Sequence, residues 1–116
     1  MKINIRHKGE ASILSLEGDF ISEEDHVTLR DHVRALIGQK RVHFVVDLAG
    51  VKYINSCGLG SLVCVLTSAR KSGGDLRLAG VGPDVARVIR LTKLDMIFEI
   101  HSSVEKALPD FPLHYR

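Results

Sequence analysis

Apolar and polar residues alternate near the start of the chain. Ile3 and Ile5 are separated by polar neighbours, and a second apolar run extends from Ala11 to Glu17. The turn-prone segment Lys8-Gly9-Glu10 separates the two runs. Two short runs of this kind on either side of a turn predict a β-hairpin.

The pattern then changes to a helical period. Ser22 and Asp25 have the spacing of a capping box, and apolar residues follow every three or four positions until Gly38. This spacing predicts an amphipathic helix. The next run, Val42 to Leu48, is almost continuously apolar and β-branched, which predicts a strand buried on both faces and therefore parallel neighbours.

Two further helices and a strand are predicted in the second half. A helix starts near Ser56 and ends at Gly73-Gly74, and Leu76 to Leu78 forms a short strand. Gly82-Pro83 has the proline-at-first-position signature of a third helix. Strands therefore alternate with helices along this part of the chain.

The end of the chain predicts one more strand and one more helix. Met96 to Ile100 reads as the last strand, and a second capping box, Ser102 with Glu105, opens a short final helix. The expected organisation is one domain over residues 1–108 and a frayed tail over residues 109–116.

These elements together predict an α/β fold. We expect a mixed, mostly parallel sheet with an N-terminal hairpin, packed against about four helices. The length of 116 residues and the hydrophobic fraction of 45% fit one globular domain. Ligands of such sheets bind beyond the carboxyl ends of the strands, which directs attention to the loop between Asp47 and Ser56.

Charge and composition exclude several classes of function. The net charge is only +2 and the basic residues are dispersed, so neither nucleic acid nor a membrane surface is an expected partner. The six histidines lack metal-ligand spacing, and no cofactor motif is present. Cys57 and Cys64 would lie about 10 Å apart along one helix, so we expect free thiols. With no apolar run of about 20 residues, a cytoplasmic location is expected.

The segment Asp47 to Gly60 carries a recognisable signature. It reads Asp-Leu, a short loop, and then Ser before Gly-Leu-Gly at the start of a helix. This segment resembles the signature of the anti-sigma factor antagonist family, whose domain is called STAS, and the order of elements matches over nearly the whole chain. The resemblance implies that Ser56 is phosphorylated by a GHKL-type serine kinase that doubles as an anti-sigma factor. It also implies a PP2C-like phosphatase that resets the protein.

Two interpretations of Ser56 follow. A serine at a helix start is a natural N-cap, which stabilises a helix by about 1 kcal/mol. In the family, the unmodified serine allows capture of the kinase, which frees a sigma factor, and the phosphorylated serine releases it. A phosphate would add a charge of about −1.5 to −2 that the helix dipole tolerates and a docked partner does not.

The same helix offers further candidate contacts. Gly58 and Gly60 each cost about 1 kcal/mol of helix propensity relative to Ala, which indicates either close approach of another chain or tight packing on the sheet. Ser61 and Cys64 belong to a weakly charged stripe that favours a docking surface over plain exposure. The expected partner-binding residues are Asn55, Ser56, Cys57, Gly58, Leu59, Gly60, Ser61 and Cys64, with Asp19 and Ser22 added by resemblance.

The chain departs from the family pattern at three positions. Asn55 stands where the family commonly has Asp, which removes a charge beside the acceptor. Cys57 replaces the usual Ser or Thr and brings a thiol to the helix start. Ile21 replaces the second acidic residue of the family's Gly-Glu-Leu-Asp. These changes are expected to bear on recognition by the kinase.

No catalytic constellation is evident. Ser56 lacks a G-x-S-x-G elbow, Cys57 has no histidine at a recognisable spacing, and no glycine loop precedes a phosphate-binding Lys. Asp47 is expected to bond the loop that follows it. We therefore expect a binding protein and not an enzyme, with a constitutive STAS adaptor subunit of a transport or sensory assembly as the alternative.

Overall fold

The computed structural model describes residues 1–109 and 111. The predicted hairpin is confirmed, because β1, Lys2–Lys8, pairs antiparallel with β2, Ala11–Glu17. Gly9 provides the left-handed turn between them, with φ of 60°. The predicted fraying of residues 109–116 falls mostly outside the described residues and stays a prediction.

The sheet has five strands in the order β1-β2-β3-β4-β5. β3 is His43–Gly50, β4 is Asp75–Ala79 and β5 is Glu99–His101. All pairs except the opening hairpin are parallel, as predicted. The interior of β3 is buried on both faces, because helices cover one side of the sheet and the C-terminal segment covers the other.

Four α-helices complete the domain. They are α1, Glu23–Gly38; α2, Ser56–Lys71; α3, Pro83–Leu91; and α4, Val104–Ala107. The first three pack their apolar faces on one side of the sheet, where the main core forms around Leu14, Phe44, Val46, Leu62 and Leu78. α4 lies on the other side, over a smaller apolar cluster.

Arg77 of β4 fixes the C-terminal segment to that second face. Its Nη1 donates to the carbonyl oxygens of Ala107, at 2.7 Å, and Pro109, at 3.0 Å. The guanidinium lies 4.3 Å from the centre of the Phe111 ring, and its Nε is 3.3 Å from Oε1 of Glu99. The buried cation is thus surrounded by acceptors and an aromatic face.

The predicted last strand is wrong in its bounds. Met96 to Ile100 was expected to be extended, but Leu94–Met96 form a 3₁₀ helix and β5 is Glu99–His101. Lys93 adopts a left-handed backbone conformation, with φ of 61°, so the chain turns before it extends. The apolar run in the sequence reflects an exposed turn followed by an edge strand.

The second predicted capping box is displaced by one residue. Ser103, and not Ser102, caps α4, because its hydroxyl accepts a hydrogen bond from the Lys106 N–H at 3.2 Å. Ser102 precedes the helix and is exposed.

Candidate functional site

The start of α2 is capped by Asn55. Its backbone is extended, and its side-chain oxygen accepts a hydrogen bond from the Gly58 N–H at 3.1 Å. The expectation that the Ser56 hydroxyl is the cap is therefore wrong, because Ser56 occupies the first helical position. Ser56 is exposed, and within the described part of the chain its hydroxyl makes no hydrogen bond. The fold leaves this oxygen available.

Two loops meet beside Ser56. The Phe20 N–H in the β2–α1 loop donates to the Tyr53 carbonyl at 2.9 Å, and the Asn55 side-chain NH₂ donates to the Ile21 carbonyl at 2.9 Å. Phe20 is buried, whereas Asp19 and Ile21 on either side of it are exposed. The pairing holds these exposed residues at the same edge of the domain as the start of α2.

The two bonds of Asn55 use both ends of its side-chain amide. An amide donates with its nitrogen and accepts with its oxygen, so Asn55 can serve Gly58 and Ile21 together. A carboxylate could accept from the Gly58 N–H, but it has no proton for the Ile21 carbonyl. Here the amide joins the cap of α2 to the β2–α1 loop.

The two glycines of α2 have different roles. A Cβ on Gly58 would lie 2.3 Å from the Phe20 carbonyl oxygen and 2.6 Å from Cγ1 of Ile54, so tight internal packing requires this glycine. A Cβ on Gly60 would meet nothing within 4 Å. Leu59, between them, is buried in the core. Gly58 and Leu59 thus support the site from inside, while Gly60 presents an open surface.

A groove runs between α1 and α2. Ser61 forms its floor with a side chain only 1% exposed, and its hydroxyl lies 2.7 Å from Nδ1 of His26. The Sγ of Cys57 lies 3.9 Å from Oε2 of Glu23 on the opposite wall. Cys64 is exposed at the far end. The residues that line the groove are Glu23, His26, Ser56, Cys57, Gly60, Ser61 and Cys64.

This groove revises the predicted stripe. Ser61 was expected on an exposed docking surface, but α1 covers it and His26 uses its hydroxyl. Sequence reasoning missed His26 and Glu23, because a contact between positions 35 apart leaves no periodic signal in either helix. It also missed Tyr53, whose exposed ring in the β3–α2 loop lines a separate hollow with Pro83 at the start of α3.

The start of α1 is held by reciprocal bonds. The Ser22 hydroxyl accepts from the Asp25 N–H at 3.1 Å, which confirms the predicted cap. Oδ2 of Asp25 accepts from the Ile21 N–H at 3.4 Å. Burial raises the pKa of the Asp25 carboxyl, but the Ser22 hydroxyl, the Ile21 N–H and the amino group of Met1 together outweigh burial and lower it.

Asp47 was expected to bond the loop that follows it, but its two contacts lie within the sheet, in β3 and β2. Its Oδ1 accepts from the Ala49 N–H at 3.0 Å, and its Oδ2 lies 3.5 Å from the Ser15 hydroxyl.

Cys57 and Cys64 form no disulfide bond. Among residues 1–109 and 111, no group of three or more His, Cys, Asp or Glu side chains is arranged to hold a metal ion. No helix in the same residues has the length and apolar character needed to cross a membrane.

Comparison with known proteins agrees with this architecture. The profile of the STAS domain family matches residues 2–107. This chain belongs to the STAS domain family. A crystal structure from Thermotoga maritima, provisionally named an anti-sigma factor antagonist, matches this STAS domain with a TM-score of 0.85 and 25% identity. The match covers 93% of this chain and 92% of that one.

Two curated STAS relatives extend the comparison. A Thermotoga maritima protein with the same provisional name is 36% identical over 63 residues, which is 54% of this chain and 56% of the relative. The match thus spans little more than half the length of that relative. The anti-sigma-F factor antagonist RsfA of Mycobacterium tuberculosis is 26% identical over 110 residues, covering 93% of this chain and 85% of its own.

Proposed function

We propose that this protein is an anti-sigma factor antagonist, a binding module whose capture of an anti-sigma factor is switched by phosphorylation of Ser56. The observation that carries the proposal is that capping and exposure fall on two different residues at the start of α2. Asn55 caps the helix, so the exposed Ser56 hydroxyl is available for modification without loss of the cap. The relatives named as anti-sigma factor antagonists support the same role.

The position of Ser56 suits a charge switch. A phosphate there lies at the positive end of the helix dipole, so the added charge of about −1.5 to −2 leaves the domain folded. A partner seated on the same surface would have to desolvate that charge or meet it with its own acidic groups. Phosphorylation thus releases the partner without a change of fold.

The contact surface surrounds the acceptor. Ser56 and Cys57 present small side chains along the groove, Gly60 leaves its backbone uncovered there, and Ile21 adds exposed apolar area beside them. Such a surface fits the close approach of a partner's backbone with an apolar contact at its edge. Asp19 contributes an exposed carboxylate to the same edge.

The proposed partners are a GHKL-type serine kinase acting as the anti-sigma factor and a PP2C-like phosphatase, in the cytoplasm. The protein itself acts by binding and not by catalysis. The Asp47 carboxylate supports this assignment, because the Ala49 N–H and the Ser15 hydroxyl already engage it as structural partners.

The test compares three variants as tagged baits in the source organism. Retained GHKL kinase is quantified by mass spectrometry for the native chain, Ser56→Ala and Ser56→Asp, with Thr67→Asp as the control that adds a carboxylate elsewhere on α2. We expect Ser56→Ala and Thr67→Asp to retain the kinase and Ser56→Asp to lose it. Phosphate on Ser56 of the native protein, read by peptide mass spectrometry, completes the test.

Two other results would contradict the proposed switch. Equal retention of the kinase by Ser56→Asp and Ser56→Ala would refute the switch. Co-purification with a transport or sensory assembly in a fixed ratio, whatever stands at position 56, would instead support the constitutive adaptor.

A further inference from the structure

The two edges of the sheet differ in character. β1 carries Lys2, Arg6 and Lys8, and charged residues of this kind protect an open strand from pairing with another chain. β5, at the other edge, exposes Ile100 at its centre. β5 has only three residues and, unlike β1, carries no Lys or Arg.

Exposed apolar residues concentrate beside β5. Among the described residues, seven large hydrophobic side chains are exposed, and four of them are Leu91, Met96, Ile97 and Ile100. They lie at the end of α3, in the 3₁₀ helix, directly after it and in β5, and the 3₁₀ helix contacts both α3 and β5. We call these four residues the β5 patch. An apolar cluster along an open strand edge is typical of a protein interface.

The balance of charges around the β5 patch indicates what kind of partner binds there. Residues 84–101 hold three basic and three acidic side chains, namely Arg87, Arg90 and Lys93 with Asp84, Asp95 and Glu99. Arg70, which donates to the Ile97 carbonyl, is paired with Asp75. A site for an anionic membrane or an acidic protein would carry a basic excess. A balanced surface suits a partner that carries the same balance, and a second copy of this chain does.

The register of β5 makes it self-complementary. The His101 carbonyl accepts from the Gly80 N–H on the β4 side, and backbone groups of successive strand residues point to alternate edges. The N–H and C=O of Ile100 therefore face outward. In an antiparallel pair centred on Ile100, these groups bond the same residue of the second copy, and Glu99 of each copy lies opposite His101 of the other.

We propose that the protein forms a two-fold symmetric dimer through antiparallel pairing of β5, with the β5 patches in contact. Glu99 and His101 already form a pair within one chain, at 2.8 Å between Oε1 and Nε2. In the dimer the same two groups alternate across the interface on one face of the sheet, and Ile100 packs against Ile100 on the other. The proposal is independent of the switch at Ser56, because the β5 patch shares no residue with the groove.

The test is the oligomeric state in solution, measured by sedimentation velocity over a range of concentrations. Ile100→Lys is compared with Ile5→Lys, because Ile5 lies on the opposite edge strand and has nearly the same exposure, 36% against 40%. We expect a dimer for the native chain and for Ile5→Lys, and a dissociation constant raised at least about tenfold by Ile100→Lys. Circular dichroism checks that both variants fold.

A second variant tests the register. His101→Glu places a carboxylate opposite Glu99 of the second copy, so it should weaken the dimer while leaving the β5 patch intact. A native chain that stays monomeric up to about 1 mM would overturn the proposal. Equal weakening by Ile5→Lys and Ile100→Lys would overturn it as well, since the dimer would then use another face. Neither result bears on kinase capture through Ser56.

Discussion

Nδ1 of His26 lies 2.7 Å from the hydroxyl oxygen of Ser61, and this bond joins α1 to α2 beside the groove. Ser61 is almost fully buried beneath α1, and the imidazole is the side-chain partner of its hydroxyl. The pair thus ties together the two helices that form the groove walls.

The His26–Ser61 bond should appear as a coupling energy. His26→Ala and Ser61→Ala are each expected to destabilise the domain by about 1 kcal/mol, because each leaves a partly buried polar group without its partner. The double variant should cost less than the sum of the two. Urea unfolding of the native chain, both single variants and the double variant measures the coupling, and strictly additive values would show that the bond does not stabilise the domain.

The cap of α2 makes a prediction about neighbouring residues. Asn55→Ala should cost about 1 kcal/mol of stability, since the Gly58 N–H loses its acceptor. Ser56→Ala should stay within about 0.5 kcal/mol of the native chain, because its hydroxyl bonds nothing in the described residues. Asn55→Asp keeps the acceptor and loses the donor to Ile21, so its stability should fall between the two. Denaturant midpoints compare all three, and a larger loss for Ser56→Ala than for Asn55→Ala would contradict this cap.

The two glycines should respond in opposite directions to the same change. Gly58→Ala forces a methyl group against the Phe20 carbonyl and should destabilise by about 1–3 kcal/mol. Gly60→Ala enters open space and should stabilise the helix by up to about 1 kcal/mol. Thermal unfolding of both variants checks the signs. If Gly60 lies under the partner, Gly60→Ala should also weaken kinase capture while raising the midpoint.

The domain should lose stability in acid because the Asp25 carboxylate becomes protonated. Its pKa in the folded state is lowered from 3.8, so the unfolded chain binds more protons in this range. The stabilisation that the ionised Asp25 carboxylate provides is complete well above pH 3.8. It is lost as the pH falls through the lower pKa of the folded state. Asp25→Asn should therefore be less stable than the native chain near neutral pH and should show a shallower decline in acid. Unfolding free energies from about pH 6 to about pH 2 measure both curves, and parallel curves would refute the role of Asp25.

Periodicity predicted most of the fold. The hairpin, α1, the buried β3 and the proline-led start of α3 were all evident from local patterns, because their core residues repeat at the period of their own element. The strand at Met96 to Ile100 was misplaced because a left-handed Lys93 and an exposed 3₁₀ helix give the same apolar run as a strand.

The details of the site were harder to predict from the sequence than the fold was. Asn55 and Ser56 are both good capping residues, and spacing alone cannot separate positions one residue apart. The burial of Ser61 depends on His26 in another helix, and the need for glycine at position 58 depends on the Phe20 carbonyl in another loop. Such contacts arise only when the chain has folded.

The cap on α2 also affects how position 56 can change during evolution. Since Asn55 closes the helix by itself, a chain that has lost the serine at position 56 would fold, persist in the cell and be inherited with no defect in stability. Stability does not keep that hydroxyl in place, whereas the proposed phosphorylation switch would. Lineages in which the regulatory need lapsed would shed the serine by drift and retain an intact domain, free to take up an unregulated binding role.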